Sequence, residues 1–316
     1  MTMLKPDDRN PRVHSLYYAI ACRRGIALMV LGALMIGSAP AVAWDGSNTN
    51  APKKIPSKNF ANAQQALRKG VDELKAGKIE SSLAALTYAA ANGLVIARWK
   101  LGELYAVGDG VPRDDLKAYH YFNQIVEDYD EDQPDGQNIS AISDAFVAVG
   151  VYCLNGLPTS DVPPDPRRAH ELFQYAATTF DDPNAQYNLA HMYIIGAGGL
   201  TKDRIAAIRW LALAAKEGHR PSQALLGHML FAGEGVADER ARGLMWLELA
   251  QDGASNPKYQ WIHELYQRDF QAATDDDRHT AARMREALDK PAPLSLPARS
   301  SVTSFLQPFD TLPTGQ

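Results

Sequence analysis

Asn188-Leu189-Ala190, followed by Tyr193 and Gly196, is answered by Leu225-Leu226-Gly227, followed by Leu230 and Gly233. Further on, Ala207-Ile208-Arg209-Trp210 is answered by Gly243-Leu244-Met245-Trp246. Ala190 and Gly227 stand 37 residues apart, and the two tryptophans 36. That length holds one helix, a turn, a second helix and a connector, which is the unit of an α-solenoid. A unit of this size cannot bury its apolar face alone and has to stack on its neighbours. Working outward, the same grammar recurs at Leu101-Gly102 with Tyr105 and Gly108, and at Val149-Gly150 with Cys153 and Gly156.

A small residue therefore falls at Gly102, Gly150, Ala190 and Gly227, where it lets the two helices of a hairpin approach closely. Six residues later stands a glycine, Gly108, Gly156, Gly196 or Gly233, which can take the positive φ that often follows a helix end. The second helix carries a large aromatic, Phe122, Phe173, Trp210 or Trp246, expected to bury against the hairpin as core rather than as a cofactor box. The fold class that follows is all-α, an α/α solenoid of helix hairpins wound as a right-handed superhelix.

Gly108-Asp109-Gly110-Val111-Pro112-Arg113-Asp114 and Gly233-Glu234-Gly235-Val236-Ala237-Asp238 precede second helices, and Ala214-Ala215-Lys216-Glu217-Gly218-His219 follows one. This pattern resembles the Sel-like repeat family, a relative of the tetratricopeptide repeat, over residues 80 to 253. The resemblance is specific for fold and implies an adaptor rather than a particular chemistry.

At the start of the chain, Arg23-Arg24 precedes an apolar run from Gly25 to Gly37, and small residues at positions −3 and −1 place a signal-peptidase cut between Ala43 and Trp44. Residues 1–43 read as a signal peptide, with a retained membrane anchor as the competing reading. The formal net charge is −5; the leader carries +3 of opposite sign, so the mature chain sits near −8, which disfavours nucleic acid as a partner. Cleavage leaves Cys153 as the only cysteine, in a packing register, so no intramolecular disulfide forms.

Residues 44–59 are polar and form a flexible lead-in. The solenoid runs over 60–253. Its first hairpin is more tetratricopeptide-like, with Phe60, Ala63, Leu67, Val71 and Leu74 at helical spacing, a break at Gly77, and a second helix to Gly93. Two insertions stretch the spacing of the small residues to 48 and then 40. Asp128 to Gly136 is acidic but fails as a calcium loop, because Gln133 replaces the required glycine and Ile139 the closing glutamate. Leu157 to Pro166 is too proline-rich for helix and reads as an extended flap, a partner contact or a protease site. Residues 254–289 form a helical cap, and 290–316 a Pro-rich tail in which Val302, Phe305, Leu306 and Phe309 are apolar.

No metalloprotease helix, Walker loop or nucleophile elbow is present in the sequence, and the glycine pairs follow no strand. The chain is therefore expected to be no enzyme and to hold no cofactor or metal. His191 and His228 share a register and would sit at one height on neighbouring first helices, either as a pair titrating near 6.5 or as two ordinary surface histidines.

An exported solenoid with this first hairpin, acidic insertion and helical cap resembles the ExoR family of periplasmic negative regulators of exopolysaccharide synthesis in rhizobia and related bacteria. That resemblance implies a non-catalytic protein that binds the periplasmic part of a membrane sensor histidine kinase, keeps its two-component pathway off, and is relieved by a periplasmic protease. A repeat adaptor or glycan- or cell-wall-binding scaffold without kinase regulation is the alternative. The partner surface is expected along the first helices, on Trp99 and Glu103, Val147 and Val151, Tyr187 and His191, with His228 continuing the stripe.

Overall fold

A computed structural model describes residues 60–132, 135–158, 160, 162–236, 239–252 and 257–289. The leader and its Ala43-Trp44 junction, the lead-in, the tail and Gly253 lie outside the described residues. The described residues hold twelve α-helices: α1 (Ala63–Lys75), α2 (Ile79–Ala91), α3 (Val95–Val107), α4 (Asp115–Glu127), α5 (Ile139–Asn155), α6 (Pro166–Thr179), α7 (Pro183–Ile195), α8 (Arg204–Lys216), α9 (Arg220–Phe231), α10 (Arg240–Gln251), α11 (Gln260–Ala272) and α12 (Asp275–Asp289). Among these residues the only extended pairing is an isolated antiparallel bridge, Leu157 to Val162. The all-α solenoid expected from the repeat period is what forms. The chain divides into two compact units between His219 and Arg220, so that the last repeat, α9–α10, groups with the cap helices.

The hairpins α3–α4, α5–α6 and α7–α8 are closed at their loop ends by the same two devices. The residue before a second helix caps it with its carboxylate, Asp114 accepting from Lys117 N, Asp165 from Arg168 N and Asp203 from Ala206 N. The backbone amide of that same aspartate turns back to the first helix, Asp114 to Tyr105 O at 2.9 Å, Asp165 to Cys153 O at 2.7 Å and Asp203 to Tyr193 O at 3.0 Å. The bond can form because the glycine after the first helix takes φ of +80° at Gly108, +64° at Gly156 and +73° at Gly196.

The small residues sit where the helices touch. A Cβ on Gly102 would lie 2.6 Å from the Phe122 ring, and one on Gly150 would lie 2.5 Å from the Phe173 ring. Phe122 and Phe173 are fully buried, as the repeat pattern implies. Trp210 and Trp246 differ: both are half-buried and only line the edge of their clusters. Counted from the cap residue, the equivalents of Phe122 and Phe173 are Leu211 and Leu247, each with no solvent exposure. The tryptophans hold the preceding seat, that of Tyr121 and Leu172. One step along a helix rotates a side chain by ~100°, enough to move it from the hairpin interior to its rim. At Gly227 the partner is backbone as well as side chain: its Cβ would meet Gly243 O at 2.7 Å and Leu247 Cγ at 2.8 Å.

Helix α5 is buried on nearly every face, from Ala141 through Cys153 with half-buried Asp144 as the exception. Cys153 is a packing residue, and burial pushes its thiol pKa up. The proline-rich flap is tied rather than loose. Leu157 is buried, its amide donates to Val162 O at 2.9 Å, and the Pro164 ring lies against Gly156.

Candidate protein-binding surface

The stripe proposed on the first helices splits into a closed part and an open part. Trp99 is 8% exposed, Glu103 8%, Val147 0% and Val151 3%. Trp99, Val147 and Val151 belong to one core cluster, and Lys100 covers the Trp99 ring at 4.4 Å while pairing with Glu103 at 3.1 Å. These four are therefore interior, not groove-lining. The reason lies in α5, which is apolar all round, so that its neighbours pack on the face a looser solenoid would leave to solvent.

The open part is in the third repeat. Tyr187 is half-buried, edge-on to His219 with ring centroids 5.6 Å apart. His191 reaches solvent, and desolvation by the protein around it lowers its pKa. One turn further along the same face stands Ile195, 46% exposed; the matching residue of the first repeat, Val107, is 39% exposed.

His228 belongs to the second unit and has surroundings of its own. Its Nδ1 lies 2.7 Å from Asp269 Oδ2, and that carboxylate, 3% exposed, also accepts from Arg268 Nε at 3.0 Å. Nothing in the sequence near His228 announces this pair, because the two residues are 41 positions apart and the cap lacks the repeat's spacing. Among the described residues no group of three or more His, Cys, Asp or Glu side chains is placed to hold a metal ion.

A second feature is the foot of the acidic insertion. No Lys or Arg occurs between Lys117 and Arg167, while nine Asp and Glu do. Tyr129 anchors the insertion by packing edge-on against Phe146, Tyr175 and Phe180, with centroids 5.7, 6.1 and 5.7 Å away. Burial, then hydrogen bonding with Tyr129 and Glu131, pushes the Tyr175 phenol well above its ordinary pKa. Beside this cluster Asp182, buried, accepts from Ser143 Oγ at 2.7 Å. The Glu217 carboxyl is raised by burial and then by the charges of Asp181 and Asp182.

The Sel1 repeat family matches residues 95–127, 144–178, 183–219 and 220–252, which are the hairpins α3–α4, α5–α6, α7–α8 and α9–α10. The chain is 32% identical over 217 residues to an exopolysaccharide production negative regulator of Rhizobium meliloti, covering 69% of this chain and 78% of that protein. The family is thereby decided. The chain belongs to the exopolysaccharide production negative regulators, built on Sel1 repeats. A second member of this regulator family, from Rhizobium leguminosarum bv. viciae, is 32% identical over 219 residues, covering 69% of this chain and 79% of its own. Among solved structures, a Sel1 repeat protein from Oxalobacter formigenes superposes with a TM-score of 0.52 at 22% identity, over 72% of this chain and 89% of the other, a likeness of fold alone. Sel1 repeats of this kind form scaffolds for protein–protein interaction, and among the described residues no helix is long and apolar enough to cross a membrane.

Proposed function

We propose that this chain is an exported negative regulator of exopolysaccharide production, which binds the periplasmic domain of a sensor histidine kinase and holds its two-component pathway off. The observation that carries the reading is the 32% identity over 217 residues to an exopolysaccharide production negative regulator, spanning most of that protein. The fold supports a binding role, since a repeat solenoid offers surface rather than a reactive cleft. Export rests on the leader, with cleavage between Ala43 and Trp44, and a periplasmic protease that ends repression is part of the same reading. The glycan-binding alternative loses its main aromatic, because Trp99 is packed into the core.

The docking face we assign is the open end of the stripe, Tyr187, His191 and Ile195 with Val107, in place of the buried Trp99, Val147 and Val151. Deleting the gene should raise exopolysaccharide output, and the full chain with its leader should restore repression, its mature form in the periplasm starting at Trp44. Titration of that mature chain with the purified periplasmic domain of the kinase should give saturable binding, and His191→Ala with Ile195→Ala should weaken it roughly tenfold or more without changing the helical signal. Repression that survives with no binding to any kinase domain would defeat the kinase part of the proposal.

A further inference from the structure

The connection from the second repeat to the third departs from the two other short connections between hairpins, those after α2 and α8. After α2 the chain turns at Gly93, with φ of +83°, and after α8 at Gly218, with φ of +84°. After α6 the corresponding residue is Asp181, which takes φ of +51° and is the only non-glycine with positive φ among the described residues. A side chain in the left-handed region is strained, and glycine is what relieves it elsewhere in this chain.

The next residue offsets that strain. Asp182 Oδ1 accepts from the amides of Asn184 at 2.8 Å and Ala185 at 2.9 Å, capping α7. Its Oδ2 accepts from Ser143 Oγ on α5 at 2.7 Å, in a buried site. One carboxylate thus joins the first turn of the third repeat to the second repeat. At the matching places Leu94 makes no side-chain cap. The turn is also in reach of the acidic insertion, because Phe180, which ends α6, packs against Tyr129 of that insertion as well as Phe146 and Tyr175.

We propose that Phe180 to Pro183 is a strained latch: Asp182 and Ser143 hold the third repeat closed on the second, Asp181 stores the strain that favours opening, and Tyr129 lets the acidic insertion spring it. The elements form a contiguous packed path from an exposed loop to a repeat boundary, with the strain concentrated at one residue. The insertion itself needs no contact with α7 to act on it.

Segment-resolved hydrogen exchange on the mature chain tests this. Ser143→Ala should speed exchange in the first turns of α7 by roughly tenfold, the loss expected for one buried hydrogen bond to a carboxylate, and leave α3 and α4 as they were. Adding Asp181→Gly should return much of that protection, since glycine takes the same φ without strain. Tyr129→Leu should also loosen α7, although its ring contacts are with Phe146, Tyr175 and Phe180. Unchanged α7 exchange in Ser143→Ala, or an equal rise in every helix of the unit, overturns the latch. Failure of Asp181→Gly to restore protection overturns the stored strain, and an unaffected α7 in Tyr129→Leu overturns the link to the insertion.

Discussion

Helix α5 of the second repeat and helix α7 of the third start from the same repeat position and end in different environments. Val147 and Val151 on α5 are core, while Tyr187 is half-buried and His191 and Ile195 reach solvent on the same face of α7. The difference is one of composition. Helix α5 carries apolar residues on all sides, so burial extends round it, whereas α7 interleaves Asn184, Asn188 and His191 with its apolar seam. A solenoid face is therefore open or closed repeat by repeat, and register alone does not say which.

The largest test compares the two seats on the second helices. Phe173, fully buried against Gly150, should lose about 3 to 5 kcal/mol of stability as Phe173→Ala, read from the denaturant midpoint. Trp210, one seat away and half-buried, should lose about 1 to 2 kcal/mol as Trp210→Ala. Equal losses would mean that Trp210 and not Leu211 fills the hairpin interior.

Next comes the stripe itself. Trp99→Ala removes a ring that packs with Val147 and Val151 and should cost about 3 kcal/mol, whereas Tyr187→Ala on the open side should cost about 1 kcal/mol. The discriminating outcome is the ratio of the two melting shifts. A Trp99 variant as stable as the parent would reopen the groove expected from sequence.

The fold was legible because its signals are local. Gly108, Gly156 and Gly196 each follow a first helix and take positive φ, and the Asp caps follow at short distance, so hairpins can be counted along the chain. Cys153 was also readable, since its register belongs to packing residues. Two things were not. The loop from Gly196 to Asp203 is one residue longer than that from Gly108 to Asp114, and this shift moves the interior seat from Trp210 to Leu211. Aligning by the tryptophans hides it, because the largest side chain is not the most buried one. The candidate surface was harder still. Whether Trp99 faces solvent depends on how closely α5 is covered, and the Asp269 partner of His228 comes from a cap with no repeat to align.

The smallest effect belongs to His191, where the open side of the comparison meets pH. The residue reaches solvent, and desolvation lowers its pKa below the ordinary 6.5, so the folded chain favours the neutral imidazole. On acidification the unfolded chain takes up this proton first, near 6.5, and the folded chain only at a lower pH. Between those two pH values the unfolded state binds more protons, so stability falls as pH drops through that window and levels off once both states are charged. His191→Asn removes the contribution, and the variant should lose less melting temperature than the parent between about pH 7.5 and about pH 5.5. Solvent contact keeps the difference small, which is why the comparison needs the paired variant rather than the parent curve alone. The same acid slope in both proteins would mean that the surrounding protein does not desolvate the ring. A steeper slope in the variant would mean that His191 stabilises the fold when charged, and the open face would then have to present a carboxylate to it.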